Sequence, residues 1–394
     1  MFILTFQKDI DNLAFFKGTL FCVSFLIHSI ALTQANIFDI LFYINIIKFF
    51  RKGVSIMNIG ILGAGTWGIA LAKMLCENGC NVTVWSAIPK EIETLQDTHT
   101  HPKFLDVVLP DELSYTTDTA KVCEENEILV IAVPSVFIRS TTKTAAPYLK
   151  KGQILVSVAK GIEEKTLFSM TEVIEDELGD KAKELSLSFV ALSGPTHAEE
   201  VIRNMPTTII SSCPDMAIAE KVQDVFTNSF MRVYTNPDIK GVELCGALKN
   251  IIALASGMLY GLGMGDNIKA ALITRGLSEI KRLGIKMGCS EKTFYGLAGM
   301  GDLIVTALSI HSRNYKAGIL LGKGMDAESA IKEVGMVVEG MNALKPAMEL
   351  SAKYSVELPI ISAVYKTVFE KADPAECIKY LMNRERRSEI NDIY

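Results

Sequence analysis

The chain has 394 residues, a formal net charge of −5, eight cysteines and five histidines. That length accommodates two domains with full cores. Basic residues form only short clusters such as Arg384-Glu385-Arg386-Arg387, which excludes a nucleic-acid footprint; neither CxxC nor H-E-x-x-H spacing occurs, which argues for reduced thiols in a cytoplasm and against a metal site.

Residues 1–56 stand apart. No formal charge lies between Lys17 and Asp39, a stretch that includes Leu20-Phe21-Cys22-Val23-Ser24-Phe25-Leu26-Ile27, and a second apolar run follows from Ile40 to Ile47. The uncharged run is long enough to span a bilayer, but Ser, His, Thr, Gln and Asn dilute it, and no small-residue cleavage site follows it cleanly. A membrane anchor and a short buried hairpin are two readings. The favoured one takes Met57 as the natural start and residues 1–56 as upstream sequence read in frame, because Met57 immediately precedes the first strand. Contact with a membrane is expected only through this segment.

Asn58-Ile59-Gly60-Ile61-Leu62 reads as a strand that runs into Gly63-Ala64-Gly65-Thr66-Trp67-Gly68, with the helical pattern Ile69, Ala70, Leu71, Met74, Leu75 behind it. This is the strand–turn–helix setting of a dinucleotide fingerprint. Gly63 permits the tight turn, Gly65 lets the backbone approach a pyrophosphate, and Gly68 lets helix and strand pack closely. The helix N-terminus then offers free N–H groups and partial positive charge to the phosphates. Cys76 and Cys80 lie one turn apart on this helix and read as buried thiols.

Further strands are predicted at Asn81–Trp85, Glu127–Pro134, Gln153–Val158, Leu187–Leu192, Thr207–Ser211 and Met231–Tyr234. Helices are predicted from Pro89 to Leu95, over 166–178 and from Asp215 to Thr227, with a loop from Thr98 to Pro110 and with Ser135 capping a helix. Alternating strands and helices imply an α/β fold, a parallel, doubly wound Rossmann-type sheet. Beyond Asn236-Pro237 helical periodicity takes over, in Val242–Tyr260, Lys269–Leu283, Thr293–Leu308, Ala327–Val334 and Asn342–Tyr354. The expected domains are therefore 57–236, binding a nucleotide, and an all-helical 237–394.

Ligands of an open parallel sheet bind beyond the C-terminal ends of its strands. Two such ends carry polar residues: Lys160, and Ser193-Gly194-Pro195-Thr196-His197. The bland alternative for Lys160 is a solvated lysine. Lys249-Asn250 interrupts an otherwise apolar helix, and burying such groups unpaired is costly, so they need partners unless the lysine snorkels. Asp302 in Gly299-Met300-Gly301-Asp302 and the run Ser312-Arg313-Asn314 complete the set; an arginine fork suits a phosphate.

Together the glycine turn, Ala159-Lys160-Gly161, Ser193-Gly194-Pro195-Thr196, Gly246-Ala247-Leu248-Lys249-Asn250, Gly299-Met300-Gly301-Asp302 and Ser312-Arg313-Asn314 resemble bacterial NAD(P)-dependent glycerol-3-phosphate dehydrogenase, from Met57 to about Arg387. The resemblance implies a Rossmann domain followed by a helical one, and reversible reduction of dihydroxyacetone phosphate to sn-glycerol 3-phosphate, the backbone for phospholipid synthesis. It implies that Lys249 is the catalytic proton donor and acceptor, with Lys160 and Asp302 beside it. Lys160, Gly194, Thr196, Lys249, Asp302, Ser312, Arg313 and Asn314 would contact substrate. Besides Gly63, Gly65 and Gly68 of the turn, Thr66, Trp67, Lys160, Ala198, Arg313, Val337 and Glu339 would contact NAD(H) or NADP(H). A homodimer is compatible with the sequence. The chemistry agrees: hydride transfer to a ketone leaves an alkoxide that needs a cation and a proton, and two neighbouring lysines depress each other's pKa. His197 stands where relatives often carry an aromatic residue and reads as loop packing.

Two rivals remain. Another Rossmann-plus-helical dehydrogenase, acting on a hydroxy acid or sugar acid, would not need Arg313. A membrane-tethered nucleotide sensor would have little reason to keep Lys160, Lys249 and Asp302 together. After the second strand the chain reads Trp85-Ser86-Ala87, where many relatives carry His or Arg for the 2′-phosphate of NADPH. With no cation and no carboxylate evident there, both cofactors are expected to work, with a slight lean toward NADH and Lys90 as a reserve cation.

Overall fold

Apolar strands alternating with amphipathic helices build one eight-stranded sheet in the order β3-β2-β1-β4-β5-β6-β7-β8. The computed structural model describes residues 56–386, 388 and 389. The chain divides after Ile56 into two units, and the elements below belong to the second; the readings of residues 1–55 fall outside the described residues. The strands are β1 Asn58–Leu62, β2 Asn81–Trp85, β3 Ser114–Thr116, β4 Ile128–Ile131, β5 Ile154–Ser157, β6 Ser188–Ser193, β7 Thr207–Ser212 and β8 Met231–Asn236. Between them lie α1 Thr66–Glu77, α2 Pro89–Thr98, α3 Thr119–Glu124, α4 Ile138–Ala145, α5 Met170–Leu178, α6 Asp180–Glu184, α7 Ala198–Val201 and α8 Met216–Phe226.

β4 and β5 are buried along their whole length, as central parallel strands covered on both faces must be. Ile59, Ile61, Val130 and Val156 pack under α1 with Leu71 and Leu75. The alternate residues Leu62, Leu129, Ile131 and Leu155 face Ile138, Val173 and Ile174.

The sheet departs from wholly parallel at one place: β7 runs antiparallel to β6, and β8 follows β7 in parallel. The link between β6 and β7 holds only the four-residue α7, too short a crossover to return the chain for a parallel pairing. Three local expectations also change. β3 and α3 emerge from sequence without a marked apolar run. The helix expected over 166–178 starts at Met170, where Ser169 and Glu172 form a reciprocal capping box. Ser135 caps no helix; it opens a 3₁₀ turn, Ser135–Phe137.

After β8 the described residues contain helices only: α9 Ile239–Gly261, α10 Asp266–Lys286, α11 Glu291–Phe294, α12 Asp302–Leu308, α13 Arg313–Gly322, α14 Ala327–Val334, α15 Glu339–Asn342, α16 Leu344–Tyr354, α17 Pro359–Phe369 and α18 Pro374–Met382. The continuous helix expected over Thr293–Leu308 is broken by a π turn at Leu297–Gly301. Gly299 makes this turn possible, because a methyl there would lie 2.1 Å from the Phe294 carbonyl oxygen.

α9 is the axis of this half. It is apolar and long enough to cross a bilayer, yet its apolar stretch is buried within the protein, with Tyr260 exposed near its C-terminus and Leu248, Ile251, Ile252 and Leu254 in the core. α9 and α13 meet backbone to backbone: a methyl on Gly257 would lie 2.1 Å from Tyr315 O, and one on Gly318 would lie 2.0 Å from Leu254 O. Glycine at both positions is therefore what allows this approach, which sets the N-terminus of α13 beside the middle of α9.

Candidate active site

The glycine turn has the shape a pyrophosphate requires. Gly63 adopts φ +128°, a conformation that side-chain-bearing residues rarely take. A methyl on Gly68 would fall 2.1 Å from Gly63 O, whereas one on Gly65 would meet nothing within 4 Å. Gly65 is also the N-cap of α1 and supplies no capping side chain. The first N–H groups of α1 thus face open space and suit an anion, so the residues present fit a dinucleotide.

The ends of β5 and β6 carry the polar cluster. Lys160 follows β5, and its Nζ donates to Gly194 O at 3.0 Å and to Asp302 Oδ2 at 2.6 Å. Lys249, on α9, donates to Asp302 Oδ1 at 2.5 Å and to Thr306 Oγ1 at 2.6 Å. Asp302 starts α12 immediately after the π turn and is 1% exposed. One carboxylate therefore bridges two ammonium groups and leaves the cluster with surplus positive charge. Burial is the largest influence on Lys249 and lowers its pKa to about 7; Asp302 opposes the shift and Lys160 adds to it. The repulsion expected from the sequence acts on Lys249 through Lys160 but is secondary to burial.

A second network lies on α9 one residue further. Asn314 Nδ2 donates to Asn250 Oδ1 at 2.9 Å, Asn314 Oδ1 accepts from Gly340 N at 2.8 Å, and Asn250 Nδ2 donates to Gly246 O at 3.1 Å. These bonds satisfy the amide that the apolar helix would otherwise strand. Ser312 is the N-cap of α13 and accepts from Tyr315 N at 3.2 Å. Arg313, the first residue of α13, is exposed and has no polar partner among the described residues. Glu339 binds Ser135, accepting from its N at 3.1 Å and its Oγ at 2.5 Å. The same pair closes on Gly161, where a methyl would lie 2.4 Å from Ser135 Cβ.

The structure thus joins Lys160, Gly194, Lys249 and Asp302 directly, and Thr196 through its hydroxyl on Gly194 O at 3.0 Å. No described hydrogen bond links Thr66, Trp67, Ala198 or Val337 to this cluster. Two members escaped the sequence reading. Thr306 lies one helical turn after Asp302 on the same face, a spacing that was the available signal. Ser135 follows a strand end and carried no signal toward Glu339. His197 is half-buried near His311, ring centroids 5.8 Å apart, and its Nε2 is buried without a partner, as is Ser193 Oγ.

The end of β2 differs from expectation. Ser86 Oγ donates to Glu91 Oε2 at 2.6 Å and accepts from Ile88 N at 3.1 Å. A carboxylate therefore stands at this strand end, supplied by the first turn of α2. Lys90 points instead to Glu93 at 3.4 Å and is largely exposed.

Comparison with known proteins follows the same division. A family profile described as NAD-dependent glycerol-3-phosphate dehydrogenase N-terminus matches residues 58–219, and its C-terminus counterpart matches residues 238–379. A glycerol-3-phosphate dehydrogenase [NAD(P)+] of Lactobacillus delbrueckii is 59% identical over 332 residues, covering 84% of this chain and 98% of the relative. One from Agathobacter rectalis is 50% identical, covering 85% of this chain and 98% of the relative. The crystal structure of glycerol-3-phosphate dehydrogenase from Coxiella burnetii superposes with a TM-score of 0.79 at 32% identity, covering 84% of this chain and 99% of that one. A fold shared over both halves and identity at this level lead to one conclusion: the chain belongs to the NAD-dependent glycerol-3-phosphate dehydrogenase family.

Proposed function

We propose that Lys249 is the proton donor and acceptor in the NAD(P)H-dependent reduction of dihydroxyacetone phosphate to sn-glycerol 3-phosphate, held in place by Asp302 and Thr306. The chain is an NAD(P)-dependent oxidoreductase of this family, and its product is the backbone used in phospholipid synthesis. The observation that carries the assignment of roles is the buried Lys249–Asp302–Lys160 bridge.

When bound at the glycine turn, the nicotinamide cofactor supplies the hydride. The chain's own residues do the rest. Lys160 and Lys249 place positive charge where the carbonyl oxygen gains negative charge, in a site shielded from water. Lys249, poised near neutrality, passes a proton from Nζ to that oxygen and takes one back in the reverse direction. Asp302 orients both lysines. Arg313 and the N-terminus of α13 receive the phosphate, with Asn314 beside them. Ser312 and Thr196 belong to the substrate contacts in this reading, and Glu339, bonded to Ser135 beside Gly161, belongs to the cofactor contacts. In this reading residues 57–236 bind the nucleotide and residues 237–394 complete the substrate site. A cytoplasmic location belongs to it as well, since the seven cysteines among the described residues are all free.

The test is a reduction assay of the full chain with NADH and with NADPH, on dihydroxyacetone phosphate and on unphosphorylated dihydroxyacetone. The expected result is turnover of the phosphate ester, with kcat/KM at least about a hundredfold above that of the free ketone, the worth of a charge-assisted phosphate contact. Equal activity on the two ketones would instead favour the hydroxy-acid type of dehydrogenase.

A further inference from the structure

We propose that Glu91 reads the adenosine ribose of the cofactor and makes this chain an NADH-preferring enzyme. The proposal rests on the nucleotide site assigned to the glycine turn.

In a Rossmann sheet the end of β2 lies beside the adenosine ribose. An acidic side chain there accepts hydrogen bonds from the ribose hydroxyls and repels the 2′-phosphate that distinguishes NADPH. The residues directly after β2, Ser86 and Ala87, are uncharged. Glu91 fills the role from the first turn of α2. Its Oε2 accepts from Ser86 Oγ at 2.6 Å, and its own N–H donates to Ile88 O at 3.0 Å. Ser86 is in turn fixed: it is 4% exposed, its Oγ accepts from Ile88 N, and its N–H donates to Thr116 O on β3. The carboxylate is thus held at the strand end by a closed local turn. Its second oxygen, Oε1, has no hydrogen-bond partner among the described residues and remains available to a hydroxyl.

A second observation is consistent with this placement. His101, from the loop after α2, lies within electrostatic reach of both Glu91 and the Ala64 backbone of the glycine turn. Glu91 and the glycine turn are thus both close enough to His101 to act on its charge. Burial lowers the His101 pKa, so the ring is neutral at pH 7, and its Nδ1 is already occupied by Lys103 N at 3.1 Å. Lys90, the one basic residue on α2, is paired outward with Glu93, and Lys103, two residues after His101, is exposed. The charge presented beside Ser86 is negative. A dianionic 2′-phosphate brought there meets repulsion, while ribose hydroxyls meet an acceptor.

The test is direct binding of NADH and NADPH to the full chain by calorimetry, with kcat/KM for both as a parallel readout. We expect NADH to bind at least about tenfold more tightly than NADPH, the scale of one close charge contact near the surface. Glu91→Gln keeps the shape and the bond to Ser86. It should weaken NADH a few-fold, tighten NADPH and shrink the ratio about tenfold. Lys90→Ala is the control and should leave the ratio unchanged. An unchanged ratio in Glu91→Gln, or a wild-type preference for NADPH, overturns the proposal and hands the 2′-phosphate to His101 and Lys103. Failure of either nucleotide to bind would instead overturn the nucleotide site itself, so the two failures are distinct.

Discussion

The two halves of this molecule recognise ligands by different physics. The sheet half works with backbone: glycines at positions 63, 65 and 68 shape a turn whose N–H groups suit an anion, and a side chain would only obstruct it. The helical half works with buried charge: α9 and α12 bring Lys249 and Asp302 together inside an apolar core. The lesson is that the first half is vulnerable to added atoms and the second to a lost partner. In the proposed function, geometry would recognise the cofactor's constant phosphates and charge, with its adjustable pKa, would perform the proton chemistry.

The comparison is sharpest at Lys249. Lys249→Ala should lower kcat by about two to four orders of magnitude, the usual range for a lost general acid, while thermal melting still shows a folded protein. Near-normal turnover would sink the assignment. In the intact enzyme the reduction rate should fall as pH rises through about 7, where Lys249 loses its proton, and the oxidation rate should rise over the same range.

Asp302→Asn removes the shared partner of both lysines. Leaving buried charge uncompensated costs about 3–5 kcal/mol, measurable by denaturant unfolding. Asp302 also raises the Lys249 pKa. Its loss should therefore move the falling limb of the reduction profile to lower pH. A profile that stays in place would mean that Asp302 does not act on Lys249.

The sheet half calls for a paired test. Gly68→Ala puts a methyl 2.1 Å from Gly63 O and should destabilise the fold by about 1–3 kcal/mol. Gly65→Ala meets nothing; it should leave stability unchanged and weaken cofactor binding, measured by calorimetry. Equal effects on stability would erase the distinction between packing glycine and ligand glycine.

Among the polar-site variants, Arg313→Ala should have the smallest effect. A lost charge-assisted contact of roughly 1.5–3 kcal/mol raises KM about ten- to hundredfold. kcat should fall as well, because remote binding energy positions the carbonyl. An unchanged KM would separate Arg313 from the phosphate.

Legibility in the sequence followed the range of each interaction. The glycine turn and the strand–helix alternation are local, and both could be read directly. Lys249 and Asn250 stood out because an apolar helix cannot bury such groups alone. The antiparallel step at β7 was hidden because it depends on the length of a connection, not on composition. Ser135 was missed because its partner lies 204 residues away, and Thr306 because its link to Lys249 spans 57 residues, although Asp302 stands only one turn before it. Glu91 is only five residues from Ser86, yet it was overlooked for a geometric reason. Helical side chains lean toward the N-terminus of their helix, so a first-turn residue reaches the strand end before it.

The glycine seam between α9 and α13 acts as a fixed calliper. One jaw is Lys249, proposed to handle the proton; the other is Arg313 at the tip of α13, proposed to receive the phosphate. Because Gly257 and Gly318 already bring the two backbones into contact, the helices cannot approach further, and the hydrogen bond between Asn250 and Asn314 ties the jaws together near the opening. If those roles hold, substrate length would be set by the protein's own skeleton. A phosphorylated ketone one carbon longer would satisfy either jaw but not both at once.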